Sequence, residues 1–470
     1  MAAVQEARAG DFGGRVPQTR PACRVLVFPL PFQGHINPMM QLADVLHGRG
    51  LGVTVLHTHF NALDPALHPA FDFVSVPDGI PADVAAAKSG NIIDIILAMN
   101  EAMEASTAVD EVLASVMADE ARPRPACLFL DGNLLAVQKA AVRLGLPTLV
   151  LRTGCAACLG GFLAFPMFYQ KGYLPRQESQ LYMPVKELPP LRVRDIFFSV
   201  DNNHEKVRTI IARIIETVKG SSGVVINIFE ALEAKELERI RRELDLPLVL
   251  AAGPLHKLSS TTTGSSLLDQ DYSCIKWLDS QPARSVLYVS FGSLASLSSN
   301  EFLEVAWGLA NSGHNFLWVV RPGMIRGMNG IDLPNGFDVA VEGRGKVIQW
   351  APQQEVLAHQ AVGAFWTHNG WNSTLESISE GIPMICRPHS LDQTMNARYV
   401  AEIWGVGFEL EGELERRKIE LAIRNLMSGK EGAEMRERAE DLKMKVVECF
   451  ESSGSSHIAI DKLVNYILFL

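Results

Sequence analysis

Two short stretches of this sequence carry more hydrogen-bonding capacity than a plain connection needs. The first is WTHNGWNSTLES, residues 366–377. The apolar run AVGAF (361–365) before it reads as a buried strand, and TLESISEG, ending at Gly381, reads as the first turns of a helix. Between them stand His368, Asn369, Gly370, Trp371, Asn372 and Ser373. A helix start presents unpaired N–H groups and the positive end of a dipole, so it can seat an anion. Asn372 and Ser373 can cap that helix and also donate to an anion, and His368 can donate from its ring. Capping alone accounts for one of these residues, not for the cluster. The group has the chemistry of a diphosphate cradle that works without a metal. The second stretch is PFQGHINP (31–38), which follows the strand-like run CRVLVFPL. It puts His35 in the loop beyond a first strand, where α/β domains carry their ligand groups. A neutral imidazole titrates near physiological pH and makes a good general base.

The elements that must position these residues are legible as an alternation. CRVLVFPL is followed by a helical stretch over NPMMQLADVLHGRG, then by LGVTVLHT, a helix over 91–117, ACLFLD, a helix over 133–144, and PTLVLRT; SGVVINI and PLVLAAG extend the series to about residue 252. Short buried runs between helices of this size indicate a parallel sheet covered on both faces. Residues 253–272, rich in Ser, Thr and Gly, read as an exposed linker. A second series follows: SVLYVSF, a helix over 299–311, HNFLWVV, GKVIQW, AVGAFWT and IPMICRP, with mixed-charge helices from about 414. The expected fold class is α/β, with two Rossmann-like, doubly wound domains facing a cleft. Residues 1–22 would be a disordered tail, 23–252 the first domain, 253–272 the linker, 273–450 the second domain, and 451–470 a C-terminal helix returning to the first domain.

Composition narrows the partners. The chain has 470 residues, 47% hydrophobic and 20% charged, with a net charge of −10. That acidity argues against nucleic acid or an anionic membrane surface as the main partner. No stretch reaches the roughly 18 uncharged apolar residues of a membrane span. Seven cysteines, an odd number, in mostly apolar surroundings suit a reduced, cytoplasmic compartment. Cys155 and Cys158 form a C-x-x-C with no second pair at zinc spacing, and His57 and His59 lack a third ligand. Asp269 and Asp271 form a D-x-D, but inside the linker, where solvated charge is expected. No G-x-G-x-x-G follows the first strand, which argues against a nicotinamide cofactor. A monomer is expected.

The 44 residues from Trp350 to Gln393, WAPQQEVLAHQAVGAFWTHNGWNSTLESISEGIPMICRPHSLDQ, closely resemble the signature box of the plant secondary-product glycosyltransferases, the UDP-sugar-dependent family with the GT-B fold. PFQGHINPM (31–39), WLDSQP (277–282) and YVSFGS (288–293) resemble the same family. The resemblance implies that Trp350 stacks on uracil, that Gln353 contacts the nucleoside, that Ala351 belongs to the same UDP-sugar site, and that Glu376 accepts both ribose hydroxyls. His368, Asn372, Ser373 and Ser293 would hold the diphosphate; Trp371, Asp392 and Gln393 would contact the sugar. Gln393 goes with glucose as donor sugar, and no metal or other cofactor is implied. His35 would be the general base and Asp131 its partner, which argues for an enzyme over a nucleotide-sugar binding protein. An inverting transfer to a β-glucoside follows. The acceptor side, 152–200, contains Phe162, Phe165, Met167, Phe168, Tyr169, Phe197 and Phe198, which suggest a small hydrophobic molecule. RTGCAACLGGF and KGYLPRQESQL resemble the grass benzoxazinone glucosyltransferases, implying a cyclic hydroxamic acid such as DIBOA or DIMBOA. Flavonoids, other phenolics and hormones stay open as acceptors.

Overall fold

A computed structural model describes residues 23–80, 92–259, 266–326 and 332–470. The expected tail (1–22) and residues 260–265 of the expected linker lie outside the described residues. Two parallel sheets organise the chain. The first has seven strands: β1 (Arg24–Phe28), β2 (Gly52–Thr58), β3 (Asp72–Val76), β4 (Pro125–Asp131), β5 (Thr148–Arg152), β6 (Gly223–Ile226) and β7 (Val249–Ala251). The second has six: β8 (Val286–Ser290), β9 (Asn315–Val319), β10 (Gly345–Ile348), β11 (Val362–Thr367), β12 (Met384–Cys386) and β13 (Gly407–Glu409). Their orders are β3-β2-β1-β4-β5-β6-β7 and β10-β9-β8-β11-β12-β13. Strands β1, β8 and β11 are buried along their whole length, which is why they read as unbroken apolar runs rather than alternating ones.

Each order reverses once. The chain winds one way from β1 and the other way from β4; in the second sheet the reversal lies between β8 and β11. The crevice at such a switch point, beyond the carboxyl ends of the strands, is where an open α/β sheet binds its ligand. Both motif-bearing stretches sit at these two points.

The halves are joined by packing and by polar contacts. One apolar cluster runs through both, with Leu128, Val150 and Ile226 of the first sheet and Tyr288, Phe365 and Met384 of the second. The Trp404 indole N–H donates to the Leu232 carbonyl at 3.2 Å, and the Tyr399 hydroxyl to Glu236 at 2.8 Å. Arg192 and Arg194 both pair with Glu409, at 3.1 and 2.8 Å. The helix Ser455–Leu468 lies on the first sheet: Ala459, Ile460, Leu463 and Ile467 join the cluster of Val25, Val27, Phe129 and Leu151, and Asp461 pairs with Arg49.

Three local expectations need correction. The single helix expected over 91–117 is two, Ile92–Glu104 and Ala108–Ala118, parted at Ala105-Ser106-Thr107. The Thr107 hydroxyl bonds the Glu111 carboxylate instead of supporting a continuous helix. The helix expected to begin at Asn37 begins at Gln33, so His35 lies in its first turn, not in a loop. Pro38 stands inside this helix, where its missing N–H leaves the Gly34 carbonyl without its helical partner. The front of the expected linker is not exposed: Leu255 is fully buried, and its N–H donates to the Asn227 carboxamide at 2.9 Å.

Leu463 is 0% exposed in the returning helix. Leu463→Ala is expected to cost about 2–5 kcal/mol, the usual range for emptying such a site. Thermal unfolding followed by circular dichroism checks it, and an unchanged midpoint would show that this helix adds nothing to the first half's stability.

Candidate active site

At the first switch point β1 delivers His35 and the adjacent β4 ends on Asp131. His35 Nδ1 lies 2.7 Å from Asp131 Oδ2, and the Thr153 hydroxyl 3.0 Å from the same nitrogen. Asp131 Oδ1 accepts from the Asn133 backbone N–H at 2.9 Å and from its carboxamide at 2.7 Å. Both carboxylate oxygens are thus engaged and the group is only 1% exposed. Burial by itself would raise the Asp131 carboxyl, but His35, Arg152 and the Asn133 N–H hold it below its ordinary value. An anionic Asp131 keeps the proton on His35 Nδ1 and leaves Nε2 as an acceptor on a half-buried ring lining the cleft.

At the second switch point the turn between β11 and the helix Trp371–Ser379 is built around Asn369. This residue is buried and left-handed (φ 61°), a conformation asparagine tolerates better than most side chains, and the Asn396 carboxamide holds its carbonyl at 2.9 Å. The His368 ring packs between Gly292 and Gly370; a Cβ on either would stand 2.5 Å from ring atoms. Burial, with His389 and Arg321 nearby, pushes the His368 imidazole down to about 4. At neutral pH it is therefore an uncharged N–H donor, and the positive potential comes from the helix start. The side of the cleft formed by Ser373 and Glu376 is braced by amides. Gln353 donates to Ser373 Oγ at 2.8 Å and to Glu376 Oε2 at 2.7 Å, and Gln354 donates to Glu376 Oε1 at 3.0 Å. Burial raises the Glu376 carboxyl against the pull of these two amides. The half-buried Trp350 donates from its indole to Ser266 at 3.1 Å, and Ala351 and Ser293 line the same cleft.

Three residues do something other than expected. The Asn372 carboxamide donates to the Gly34 carbonyl at 3.0 Å, the same carbonyl that Pro38 leaves without a helical partner, so it ties the two halves together rather than standing free for an anion. The Trp371 indole N–H is committed to the Asn227 carbonyl at 2.9 Å and the residue is 4% exposed, so the indole is not available to hydrogen-bond a sugar. The Gln393 carboxamide oxygen accepts from the His389 and Ser390 N–H groups at 2.8 and 3.3 Å, leaving its NH₂ but not its oxygen for a hydroxyl. Asp392, by contrast, lines the cleft with one oxygen held by Asn396 at 3.0 Å; burial raises its carboxyl.

These groups share one cleft of about 290 Å³. Its apolar wall differs from the expected one. Phe162 and Phe197 line it, but Phe165 and Phe168 are core residues, and Met167, Tyr169 and Phe198 are not among its lining. Ile93, Ile96, Ile210 and Ile214 take their place, from helices Ile92–Glu104 and His204–Lys219. Nothing in an ordinary amphipathic helix marks such residues in advance. Arg152, which ends β5, and Thr153, which follows it, fall in the expected acceptor stretch but were not singled out, although their position at the strand terminus was a usable signal. Cys155 caps the helix Ala156–Leu163 by accepting from Cys158 N–H at 3.2 Å, and Asp271 accepts from Ser273 N–H at 2.8 Å. Among the described residues no group of three or more His, Cys, Asp or Glu could hold a metal ion, and no helix is long and apolar enough to cross a membrane.

The depressed His368 has a consequence for stability. Its folded value of about 4 lies below the ordinary 6.5, so as pH falls the unfolded chain takes up the proton first. Stability attributable to this residue is therefore intact above about 6.5 and lost progressively as pH falls towards 4. His256, pushed down to about 3 by burial, acts in the same direction, so the difference between wild type and His368→Asn isolates His368. Urea unfolding at several pH values between 4 and 7 should show a shallower acid loss in the variant. Parallel curves would refute the assignment.

Comparison with known proteins agrees with this geometry. Residues 262–437 match the family described as UDP-glucoronosyl and UDP-glucosyl transferase. The chain is 45% identical to the DIMBOA UDP-glucosyltransferase BX9 of Zea mays, over 90% of both proteins. It is 42% identical to UDP-glycosyltransferase 76B1 of Arabidopsis thaliana, over 96% of this chain and 99% of that one. Its fold matches the structure of Phytolacca americana UGT2 complexed with UDP-2fluoro-glucose and pterostilbene, with a TM-score of 0.79 at 27% identity over 95% of this chain and 100% of that chain. Two facing parallel sheets, a nucleotide-sugar box at one switch point and this identity over nearly the whole length place the chain in the plant UDP-glycosyltransferase family of the GT-B fold.

Proposed function

We propose that the protein transfers glucose from UDP-glucose to a hydroxyl of a small hydrophobic plant metabolite, with inversion, and that the acceptor is a benzoxazinoid hydroxamic acid. The observation that carries the transferase reading is that His35, held from behind by the buried Asp131, lines the same cleft as the helix start at Trp371. His35 Nε2 takes the acceptor proton as the acceptor oxygen attacks the anomeric carbon. The bond from that carbon to the diphosphate breaks on the opposite face, so an α-linked donor yields a β-glucoside and UDP. The imidazolium formed at His35 is stabilised by Asp131. Charge building on the leaving diphosphate meets the N–H groups of the helix start, the Ser373 hydroxyl and the His368 N–H. A diphosphate would compete with the Gly34 carbonyl for the Asn372 amide, which gives donor binding a direct route to the contact between the halves. The acceptor reading is supported by BX9 and BX8 of Zea mays, both named DIMBOA UDP-glucosyltransferases and each 45% identical to this chain.

Purified protein, assayed in EDTA with a panel of acceptors, is expected to use UDP-glucose with higher kcat/KM than UDP-galactose and to give the β-anomer by proton NMR coupling. An α-glucoside, or a preference for UDP-galactose, would refute the proposal. His35→Ala is expected to lower kcat by about 10²–10⁴-fold, the usual effect of losing a general base. UDP affinity, measured by calorimetry, should stay near that of wild type. Because His35 and Asp131 act as a unit, the double alanine variant should be little worse than His35→Ala. Additive losses would separate Asp131 from the proton transfer.

A further inference from the structure

Arg152 is the last residue of β5 and is 6% exposed. Arginines buried to this extent ordinarily spend their five N–H donors on carbonyls or carboxylates. Here Nε is buried without an acceptor, and no carboxylate lies within 4 Å of the guanidinium, among the described residues. The nearest acidic groups are already engaged, Asp131 by His35 and Asn133 and Asp392 by Asn396. The guanidinium carbon stands 5.3 Å from the centre of the Phe162 ring. Two glycines flank its terminal nitrogens: a Cβ on Gly132 would lie 3.1 Å from Nη1, and a Cβ on Gly154 would lie 3.9 Å from Nη2. The absence of side chains there lets the planar fork border the cleft, next to His35, Thr153 and Phe162 and on the same side as Asp392, whose Oδ2 would also lie 3.9 Å from a Cβ on Gly154. A cation so placed, in a site of low dielectric, favours an anionic partner far more than the same cation would in water.

We propose that Arg152 binds an acidic oxygen of the acceptor, distinct from the hydroxyl that is glucosylated, so that the enzyme prefers apolar acceptors carrying an oxyanion. A carboxylate or the ionised oxygen of a hydroxamic acid would serve, each offering the fork a negatively charged oxygen beside the reacting hydroxyl. This inference rests on the transferase reading and narrows its acceptor class. The alternative is that Arg152 only balances the buried Asp131 and Asp392.

Matched acceptors separate the two. One pair is a hydroxybenzoic acid and its methyl ester. The other is a cyclic hydroxamic acid bearing a second hydroxyl and the lactam that lacks its N–OH. Rates are measured with saturating UDP-glucose for wild type, Arg152→Gln and Arg152→Lys. Wild type is expected to favour the acidic member of at least one pair, and the pair that shows it identifies the source of the oxyanion. In Arg152→Gln the acid-to-neutral ratio of kcat/KM should fall by about 10–100-fold, the effect of one charge-assisted hydrogen bond, and mainly through KM. Arg152→Lys keeps the charge but not the fork and should lose part of the ratio; it decides the matter where Arg152→Gln does not fold. A ratio unchanged by the substitution overturns the inference whatever happens to the absolute rates. Wild type that glucosylates neutral acceptors without favouring acids also overturns it and leaves the transferase reading standing. Wild type that glucosylates none of the panel overturns both.

Discussion

The bond from the Asn372 carboxamide to the Gly34 carbonyl joins the two helix starts on which this cleft is built. It exists because Pro38 stands inside a helix, where it withholds an N–H from the carbonyl four residues earlier. Gly34 is exposed, so a carbonyl left in that state is open to a donor from outside its own helix. It finds one on the opposite half of the molecule, one residue from the Trp371 indole that donates to Asn227. Two adjacent residues at one helix start thus reach across to the first half. They hold the helix carrying His35 against the helix start that would meet a diphosphate.

The electrostatics of the two halves are arranged differently around that seam. On the first half the charge is kept: Asp131 is buried but anionic, because His35, Arg152 and Asn133 outweigh the cost of burial. On the second half burial works against charge: it pushes His368 towards neutrality and raises the Glu376 carboxyl, against the pull of Gln353 and Gln354, which donate to both its oxygens. The first arrangement suits a group that must accept a proton and share the resulting charge. The second suits a cradle whose attraction for an anion comes from oriented dipoles, which need no rearrangement when charge appears. Groups buried this deeply are costly unless their partners are in place beforehand: Asn133 holds Asp131, Asn396 holds Asp392, and Gln353 and Gln354 hold Glu376.

Much of this was legible in the chain. The alternation of apolar runs with helical stretches sufficed for two parallel sheets, because a strand covered on both faces must be apolar throughout, and that signal is local. The cluster from His368 to Ser373 and His35 were legible because each has a chemical type that an ordinary turn does not require, while the box around the cluster and Asp131 were legible through the resemblance to the family. The break at Ser106-Thr107 and the true start of the first helix were not, because a helix boundary is settled by competing hydrogen bonds of similar strength and Pro38 is acceptable at either of two positions.

The sequence by itself therefore determined the fold class, the family and which residue types would meet in the cleft. Only the tertiary structure decided how those residues are used. Whether the Trp371 indole faces a sugar or the Asn227 carbonyl depends on a segment 144 residues away. Whether Asn372 stands free or bonds Gly34 depends on one 338 residues away. The same holds for the isoleucines that replaced the expected aromatics and for Arg152, whose surroundings come from glycines, a phenylalanine and acidic groups on several elements. Hydrogen-bonding capacity is a property of a residue, but its occupancy is a property of neighbours, and those neighbours are chosen by packing between distant parts of the chain.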